Sequence, residues 1–376
     1  MEKVALLKCN SYEDGLKEKI IELVKSIGGF DKYVKKGDKV LIKPNFVLVK
    51  PLNPVNSAVT THPAFITCIA EILLDMGCTV AIGDSPMIGN TYDIAEKIGI
   101  YDNLTKRGVK FIDFKGATLV SSKLINSEGA SQKNRRFRDL TLSSEIFEYD
   151  KIINLPKLKT HSQMGMTLAT KNMFGCVAGK RKLAWHMQCG DMYSFARLIA
   201  EIALSVNPVL NILDGIVGMD LDGPTNGRPR NTGVILASTN CIALDRVVIE
   251  LIGKKAGTFP IFKAAEDLFI PGTDMSQIDI TGNSIKECKI ENFRLFRIYP
   301  VDFAGFHFIY GPLKRIFGQK MVIDYNKCIS CRRCEFQCPA KAMYFDGKVR
   351  IDHKKCIRCC CCQESCPQGA VRIKRF

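Results

Sequence analysis

The sequence predicts an α/β protein, with a mostly parallel sheet and helices on both faces, followed by a small C-terminal ferredoxin-type α+β domain. Over residues 1–290, short apolar runs alternate with longer segments of helical periodicity. Strands that alternate with helices favour a parallel sheet covered on both faces. Of the 17 cysteines, ten lie after residue 327, which marks the tail as a separate module.

The predicted strands are short runs of apolar and β-branched residues bounded by polar residues or glycine. They comprise residues 4–8, 39–43, 79–82, 109–114, 151–155, 209–213 and 233–237. The predicted helices place apolar residues three or four positions apart. They comprise residues 16–27, 63–76, 192–206 and 242–252. The first helix ends at Gly28-Gly29 and the second begins at Pro63, which are residue types typical of those helix ends.

Polar groups follow five of these strands at their carboxyl ends. They are Lys43-Pro44-Asn45, Gly83-Asp84-Ser85-Pro86, the segment 156–161, Asp214-Gly215 and Ser238-Thr239-Asn240. In open α/β sheets the ligand crevice lies outside the carboxyl ends of the strands. The sequence therefore predicts one ligand site at this rim. The glycine-rich turn at 222–229 is predicted to form a binding loop there.

The residue types at the rim indicate an anionic ligand. Lys157, Lys159 and His161 are spaced by two, so an extended chain projects them from one side. Lysines bind carboxylates and phosphates, and a histidine can transfer a proton. The predicted catalytic residues are His161 and His62. The predicted substrate-binding residues are Lys43, Asn45, Asp84, Lys157, Lys159, Lys171, Asn172 and Asp214.

Each of these residues also has a structural interpretation. The lysines are otherwise solvated side chains at strand ends. His62 directly precedes Pro63 and suits a helix cap, while Asp84 and Asp214 suit either helix caps or metal coordination. A weaker metal hypothesis competes with ordinary structural roles for a further set of side chains. That set is Cys176, His186, Cys189 and Asp191.

The tail carries two cysteine runs with the spacing of bacterial two-cluster ferredoxins, Cys-x2-Cys-x2-Cys-x3-Cys-Pro. In this arrangement the fourth cysteine of each run serves the other cluster. The sequence therefore predicts two [4Fe-4S] clusters. Their predicted ligands are Cys328, Cys331, Cys334 and Cys366 for cluster 1, and Cys356, Cys359, Cys362 and Cys338 for cluster 2. Zinc also suits CxxC pairs, but two tandem runs that each end in Cys-Pro disfavour it.

An internal repeat of 28 residues relates the two runs. A shift by that length places Cys360 and Cys361 on Arg332 and Arg333, which are not ligand positions. The sequence therefore predicts that Cys360 and Cys361 are spare thiols. A redox role or a role as alternative ligands stays open for them.

The charge balance indicates the kind of partner. Lysine and arginine outnumber aspartate and glutamate by 54 to 38, a formal charge of +16. Each bound cluster with its thiolates adds about two negative charges, so the chain stays basic. We expect an acidic electron carrier, a ferredoxin or a flavodoxin, as its partner. Nucleic acid is disfavoured because no aromatic platform is interleaved with the basic residues.

The sequence also yields predictions of compartment and domains. No run of 18 or more apolar residues occurs, so no transmembrane segment is predicted. The N-terminus lacks the basic and apolar regions of a signal peptide, and the expected location is the cytoplasm. The predicted units are the α/β domain at 1–290, an aromatic-rich linker that docks the tail at 291–319, and the ferredoxin domain at 320–376.

Seven motifs, in order along residues 1–255, resemble those of the DUF362 family. They are Lys43-Pro44-Asn45, Thr61-His62-Pro63, Gly83-Asp84-Ser85-Pro86, Leu155-Pro156-Lys157-Leu158-Lys159-Thr160-His161, Lys171-Asn172-Met173-Phe174-Gly175, Asp214-Gly215-Ile216-Val217-Gly218-Met219 and Gly223-Pro224-Thr225. Together with the ferredoxin-like tail, they resemble the iron-sulfur branch of that family. The resemblance implies an architecture and a set of site positions but no reaction. A similarity to nickel-dependent lactate racemase proteins is expected at the level of the fold alone.

Three functional hypotheses follow. The favoured one is an iron-sulfur oxidoreductase whose tail passes single electrons to a small anionic substrate at the carboxyl rim. The alternative is a non-catalytic electron-transfer adaptor whose large domain binds a protein or a metallocofactor. A nucleic-acid-binding iron-sulfur protein is the third, and it rests on charge alone.

Overall fold

A sheet of ten strands forms the centre of the large N-terminal part. The computed structural model describes residues 1–13, 15–47, 58–121, 137, 139–179, 181–295 and 320–374. The strands of the large part are β1 (Glu2–Lys8), β2 (Lys39–Pro44), β3 (Thr79–Asp84), β4 (Lys110–Asp113), β5 (Thr118–Ser121), β6 (Asp139–Leu142), β7 (Lys151–Leu155), β8 (Lys157–His161), β9 (Gly165–Thr167), β10 (Leu210–Asp220), β11 (Arg228–Ser238) and β12 (Ile278–Gly282). Strands β5 and β6 pair with each other in a separate two-stranded sheet.

The strand order in the main sheet is β12-β1-β11-β10-β7-β2-β3-β4, and β8 joins both β10 and β9 off this path. Strand β11 runs antiparallel to β1 and β10, and β9 runs antiparallel to β8. The remaining pairings are parallel. The prediction of a mostly parallel sheet is confirmed, and the carboxyl ends of β2, β3, β7 and β8 meet at one rim.

Ten α-helices of the large part are described, together with four short 3₁₀ segments. The helices are α1 (Leu16–Lys25), α2 (Phe30–Tyr33), α3 (Pro63–Asp75), α4 (Thr91–Lys97), α5 (Tyr101–Lys106), α6 (Ala169–Asn172), α7 (Arg181–Cys189), α8 (Met192–Val206), α9 (Cys241–Leu251) and α10 (Pro260–Asp267). The 3₁₀ segments are Ser144–Glu148, Met173–Cys176, Ala256–Thr258 and Met275–Gln277. Side-chain caps fix several starts, as where Asn240 accepts hydrogen bonds from the backbone of Ile242 and Ala243.

Successive residues of the central strands pack into two separate cores, one on each face of the sheet. In β2, Leu41 lies in one core, whereas Val40 and Ile42 lie in the other. Helices α8, α9 and α10 cover the first core, and α1 and α3 cover the second. Because strand side chains alternate between faces, apolar runs of this kind need helices on both sides. The predicted two-sided α/β architecture is confirmed.

Strands β10 and β11 extend well beyond their predicted lengths. The added residues pair with each other as a long antiparallel hairpin, from Val217 opposite Asn231 to Asp220 opposite Arg228. The buried Asp220 accepts two hydrogen bonds from the Arg228 side chain, at 3.1 and 2.8 Å. The sequence did not reveal this extension because polar residues interrupt the apolar pattern.

The C-terminal domain is built from two short antiparallel sheets and two one-turn helices. The strands are β13 (Lys320–Ile323), β14 (Met343–Asp346), β15 (Lys348–Ile351) and β16 (Val371–Lys374), and the helices span Arg333–Phe336 and Cys361–Glu364. Strand β13 pairs with β16, and β14 pairs with β15. The predicted small α+β domain is confirmed.

The predicted aromatic linker falls largely outside the described residues, since 296–319 are not among them. The domain limits at 290 and 320 therefore stay predictions. Direct contacts join the two domains, among them a hydrogen bond from the side chain of Gln337 to the carbonyl of Met87 at 3.3 Å. Within the described ranges, no helix has the length and apolar character needed to cross a membrane.

Candidate functional site

A cleft of about 1310 Å³, measured with its open mouth, lies at the carboxyl rim of the sheet and is lined by both domains. Seven of the ten predicted rim residues line it, namely Lys43, Asn45, Asp84, Lys159, His161, Lys171 and Asn172. The C-terminal domain contributes Gln337 and Glu364. His62, Lys157 and Asp214 are not among the lining residues.

A buried ion pair lies at the base of the cleft. Lys43 at the end of β2 and Asp84 at the end of β3 are 2.8 Å apart, and both are almost fully buried. The Asp84 carboxylate also accepts hydrogen bonds from the amides of Phe46 and Ser85. Gly175 packs against the pair so closely that a Cβ at that position would lie 2.4 Å from Asp84 and 2.5 Å from Lys43. The charges of Lys43 and Asp84 therefore balance each other, and the space beside the pair suits a glycine because it has no room for a side chain.

A set of asparagines links this pair to helix α6. Asn45 donates to Asn172 at 2.8 Å, and Asn172 donates to Asn154 at 2.8 Å. Asp245 accepts hydrogen bonds from the first amides of α6, which fixes the start of that helix. Both Asn172 and Lys171 are thereby held at the cleft. The Oδ1 atom of Asn45 is buried and has no hydrogen-bond partner among the described residues.

Two further lysines, Lys159 and Lys171, form no salt bridge among the residues that the structure describes. Lys159 is fully buried, and its ammonium donates to the carbonyl of Val59 at 2.6 Å. The Lys171 ammonium lies 5.9 Å from the centre of the Phe174 ring, a cation–π contact. Neither lysine forms a salt bridge within the described part of the chain, in contrast to Lys43. Burial lowers the pKa of both Lys159 and Lys171.

Helix α7 adds two residues that the sequence analysis did not assign to the rim. Lys182 donates to the carbonyl of Ser85, and burial lowers its pKa to about 8. His186 packs against the rings of Phe174 and Phe195, and burial lowers its pKa to about 4. The sequence around Lys182 is basic, which is compatible with a role in binding anions. No local pattern, however, predicts that this helix packs over the cleft.

His161 is held as a neutral ring beside Glu364. Its Nδ1 accepts from the amides of Gln163 and Met164 at 3.1 and 3.2 Å, so the proton of the neutral ring lies on Nε2. Nε2 is 2.8 Å from Oε1 of Glu364. Burial lowers the pKa of His161 to about 4, with Lys171 adding to the decrease and Glu364 opposing it. The ring is therefore uncharged at neutral pH.

Glu364 is a carboxylate that the C-terminal domain contributes to the cleft. Burial acts to raise its pKa, but His161 and Lys171 outweigh that effect and lower the pKa to about 2. The backbone carbonyl of Glu364 also lies 3.5 Å from the hydroxyl of Thr225 in the β10–β11 turn. An ionised carboxylate from the cysteine-rich domain thus lies among basic side chains of the large domain.

The three remaining predicted residues form a second cluster, away from the cleft. Lys157 and Asp214 are 2.6 Å apart and fully buried. Tyr12 donates to Asp214 at 2.6 Å and stacks on the His62 ring at a centroid distance of 3.5 Å. His62 caps α3 by accepting from the amide of Ala64. Every polar atom named here has a partner, as expected of a structural cluster.

The first cysteine set lines a pocket in the C-terminal domain. The four predicted cluster 1 ligands, Cys328, Cys331, Cys334 and Cys366, all contribute to its wall. The amide of Ala370 donates to the sulfur of Cys366 at 3.2 Å, a contact that stabilises a thiolate ligand. The residues present fit a [4Fe-4S] cluster.

The predicted ligands of cluster 2 are also close together. The pKa of Cys362 is raised well above its ordinary value by burial and by the neighbouring cysteines, which include Cys356, Cys359 and Cys338. The amide of Ala342 donates to the sulfur of Cys338 at 3.1 Å, as Ala370 does in the other half. Among the described residues, no three His, Cys, Asp or Glu side chains converge as closely as a single metal ion requires. The weaker metal hypothesis around Cys176 stays a prediction.

The two cysteine sets differ in exposure. Cys331 is exposed, whereas Cys359, Cys360, Cys361 and Cys362 are all buried. The second run lies on the side that carries Glu364, next to the cleft. The extra thiols Cys360 and Cys361 are therefore shielded from solvent.

Comparison with known proteins identifies the larger part. A family model described as "Domain of unknown function (DUF362)" matches residues 40–250, more than half of the chain. The chain belongs to the DUF362 family. A second model, described as a 4Fe-4S dicluster domain, matches residues 320–367. This DUF362 protein is thus a 4Fe-4S dicluster protein, a class that transfers electrons, and the resemblance predicted from the motifs is confirmed.

One curated relative and two solved structures are similar to this DUF362 protein. It is 33% identical over 307 residues to a thylakoid-associated protein of Synechocystis sp., a match that covers 81% of this chain and 91% of the relative. The lactate racemase apoprotein of Thermoanaerobacterium thermosaccharolyticum is 14% identical with a TM-score of 0.39, over 61% of this chain and 54% of that one. A Thermotoga maritima protein is 14% identical with a TM-score of 0.36, over 62% and 57%. The match thus spans little more than half of each solved chain.

Proposed function

We propose that this DUF362 protein is a ferredoxin-linked oxidoreductase that reduces a small anionic substrate in the interdomain cleft. The two [4Fe-4S] clusters supply single electrons when bound. The residues of the large domain hold and orient the substrate. The expected compartment is the reducing cytoplasm, where free thiols and clusters persist.

The contact between Glu364 and His161 carries this proposal. Glu364 lies two residues after the predicted ligand Cys362, and its carboxylate is 2.8 Å from His161 in the cleft. Electron transfer weakens steeply with distance, so a substrate needs to lie close to a cluster. A cleft walled by the cysteine-rich domain on one side and by lysines on the other meets that requirement.

The protonation states of His161 and Lys182 indicate which of them would supply a proton to the substrate. His161 is neutral and carries its ring proton on Nε2, 2.8 Å from Oε1 of Glu364, so we assign it a positioning role rather than proton release. Lys182, whose pKa is about 8, is protonated at neutral pH and releases a proton more readily than an ordinary lysine. We therefore assign proton donation to Lys182.

The carrier is expected at the first cysteine run. Ile329 is 62% exposed and Phe336 is 74% exposed on either side of the exposed Cys331. Arg332 lies against the rings of Phe336 and Phe345 and pairs with Glu335 at 2.7 Å, while the exposed Arg333 adds positive charge to this apolar surface. An acidic ferredoxin or flavodoxin is complementary to such a face.

The test uses anaerobic protein with both clusters reduced by dithionite and then freed of excess reductant. A panel of small anions is added, and cluster reoxidation is followed by visible absorbance. We expect Lys159→Met to slow reoxidation by an active anion about tenfold or more, because a charge-assisted contact is lost. Reduction by dithionite should be unchanged.

The exposed Lys254→Met variant is the matched control and should behave like the parent protein. Equal reoxidation rates in Lys159→Met and the parent would contradict the assignment of the cleft. If no anion reoxidises the clusters, while a protein partner co-purifies in stoichiometric amount, the adaptor hypothesis replaces the enzyme.

A further inference from the structure

The charges that line the cleft do not balance. Four lysines line it, Lys43, Lys159, Lys171 and Lys182, against two carboxylates, Asp84 and Glu364. With all six side chains ionised, the lining has an excess of two positive charges. Burying cations without counter-charge is unfavourable, and Lys159 is fully buried while Lys171 and Lys182 are half-buried. The excess therefore indicates that the cleft favours an anionic ligand.

The excess is located on specific residues. Lys43 already has Asp84 at 2.8 Å, so that pair adds no net charge. Glu364 contributes one negative charge beside His161, which is neutral. The unmatched positive charge therefore lies on Lys159, Lys171 and Lys182, with Glu364 offsetting one of the three.

Lys159 and Lys182 have more N–H donors than the hydrogen bonds that they form within the described part of the chain. An ammonium has three N–H groups. Lys159 uses one, toward the carbonyl of Val59, although its side chain is fully buried. Lys182 bonds the carbonyl of Ser85, which brings no charge. The remaining N–H groups of a buried ammonium need acceptors, and anionic oxygens supply them.

We propose that the cleft binds a small dianion, a dicarboxylate or a phosphate monoester, through Lys159, Lys171 and Lys182. A dianion brings the lining to neutrality, whereas a monoanion leaves one buried positive charge unmatched. The inference rests on the proposed function, because it names the class of substrate for the same site. It also explains why a cleft next to a negatively charged cluster carries so many cations, since they offset the repulsion between cluster and anion.

The depressed lysine pKa values agree with this geometry. Lys159 and Lys171 titrate below the ordinary lysine value, and burial is the main cause. A bound dianion would favour the charged forms and raise both values. Binding is therefore expected to take up protons.

The experiment is calorimetry on the oxidised holoprotein under anaerobic conditions, with probes matched in size. Succinate is compared with butyrate, and methyl phosphate with methyl sulfate, so that each pair differs mainly by one negative charge. We expect the dianion to bind at least tenfold more tightly than its monoanionic match. The pair with the larger difference distinguishes a dicarboxylate site from a phosphate site.

Variants locate the binding. Lys159→Met and Lys171→Met should each weaken dianion binding by about tenfold to a hundredfold, whereas Lys254→Met should leave it unchanged. Circular dichroism and full iron content establish that each variant is folded, and Lys171→Met serves if Lys159→Met is not. Equal affinity for succinate and butyrate, and for methyl phosphate and methyl sulfate, would overturn the proposal, as would unchanged affinity in both variants.

A different result would reassign the lysines. If no dianion binds and Lys171→Met instead shifts a cluster reduction potential, the lysines are counter-charges for the cluster, and the proposal fails. If a monoanion reoxidises the clusters in a manner that depends on Lys159, the dianion inference fails while the proposed function stands. The two failures are therefore distinguishable.

Discussion

The buried pair Lys157–Asp214 is predicted to stabilise the fold, and its removal has a calculable cost. Asp214 is fully buried and accepts from Lys157 at 2.6 Å, from Tyr12 at 2.6 Å and from the amide of His62 at 2.9 Å. Asp214→Ala leaves a buried ammonium, a hydroxyl and an amide without this acceptor. Breaking a buried ion pair from one side costs about 3–5 kcal/mol.

A surface pair of nearly the same length provides the matched control. Lys17 and Asp75 are 2.7 Å apart, but their side chains are 35% and 56% exposed. Exposed pairs contribute about 0–1 kcal/mol, so Asp75→Ala should cost no more than that. The comparison changes burial while it keeps the chemistry of the pair.

The assay is urea unfolding of the anaerobic holoprotein, followed by circular dichroism and fitted with a common slope. A double-mutant cycle with Lys157→Met and Asp214→Asn should give a coupling energy of about 1–3 kcal/mol. Lys157→Met should also keep anion affinity within about twofold, because a lost contact in the site would cost a factor of ten or more. If Asp214→Ala costs no more than Asp75→Ala, the structural assignment of this cluster is refuted.

Two further outcomes are expected. Anion affinity should fall as pH rises through the free-state pKa of Lys182, about 8, because burial lowers that value and a bound anion raises it again. Lys182→Arg, which stays charged, should reduce the decrease around pH 8 measured by calorimetry, and a profile already flat in the parent protein would contradict this account. Separately, Arg332→Glu should slow reduction by an acidic flavodoxin about tenfold or more at low ionic strength, with the difference shrinking in high salt. Lys254→Glu makes the same charge change elsewhere, so equal stopped-flow rates for the two variants would place the carrier at another face.

The sequence predicts the elements and most of the rim because both depend on local pattern. Lys43 and Asp84 each follow a short apolar run, and parallel strands bring their carboxyl ends to one edge. Asn45 directly follows β2, so the same argument places it at this edge. Lys171 follows the segment 156–161 closely in sequence, and the structure also places it at the cleft. These residues line a common cleft, as the pattern indicates.

Spacing alone fails for Lys157 and Lys159. Alternation predicts that they share one side of an extended chain, yet Lys157 pairs with Asp214 while Lys159 lines the cleft. Strand β8 pairs with β10 through Asp214 and then through Met219, and the register shifts between those positions. That irregularity lies in the pairing of two segments that are distant in sequence, so no local pattern reveals it.

The two halves of the C-terminal repeat differ at positions that indicate which half contacts the large domain. Phe336 in the first half aligns with Glu364 in the second, just as Arg332 and Arg333 align with Cys360 and Cys361. In the first half, Phe336 is a large aromatic residue, Arg332 and Arg333 are basic, and all three are exposed. In the second half, Cys360 and Cys361 are buried and Glu364 lies beside His161. The two halves of the repeat have the same cysteine spacing. Differences between them at aligned non-ligand positions therefore indicate that the two halves have different surroundings in the structure. The first half suits solvent and an incoming acidic carrier, and the second suits contact with the large domain. This division agrees with the proposal that an electron carrier binds on one side of the C-terminal domain and a substrate on the other.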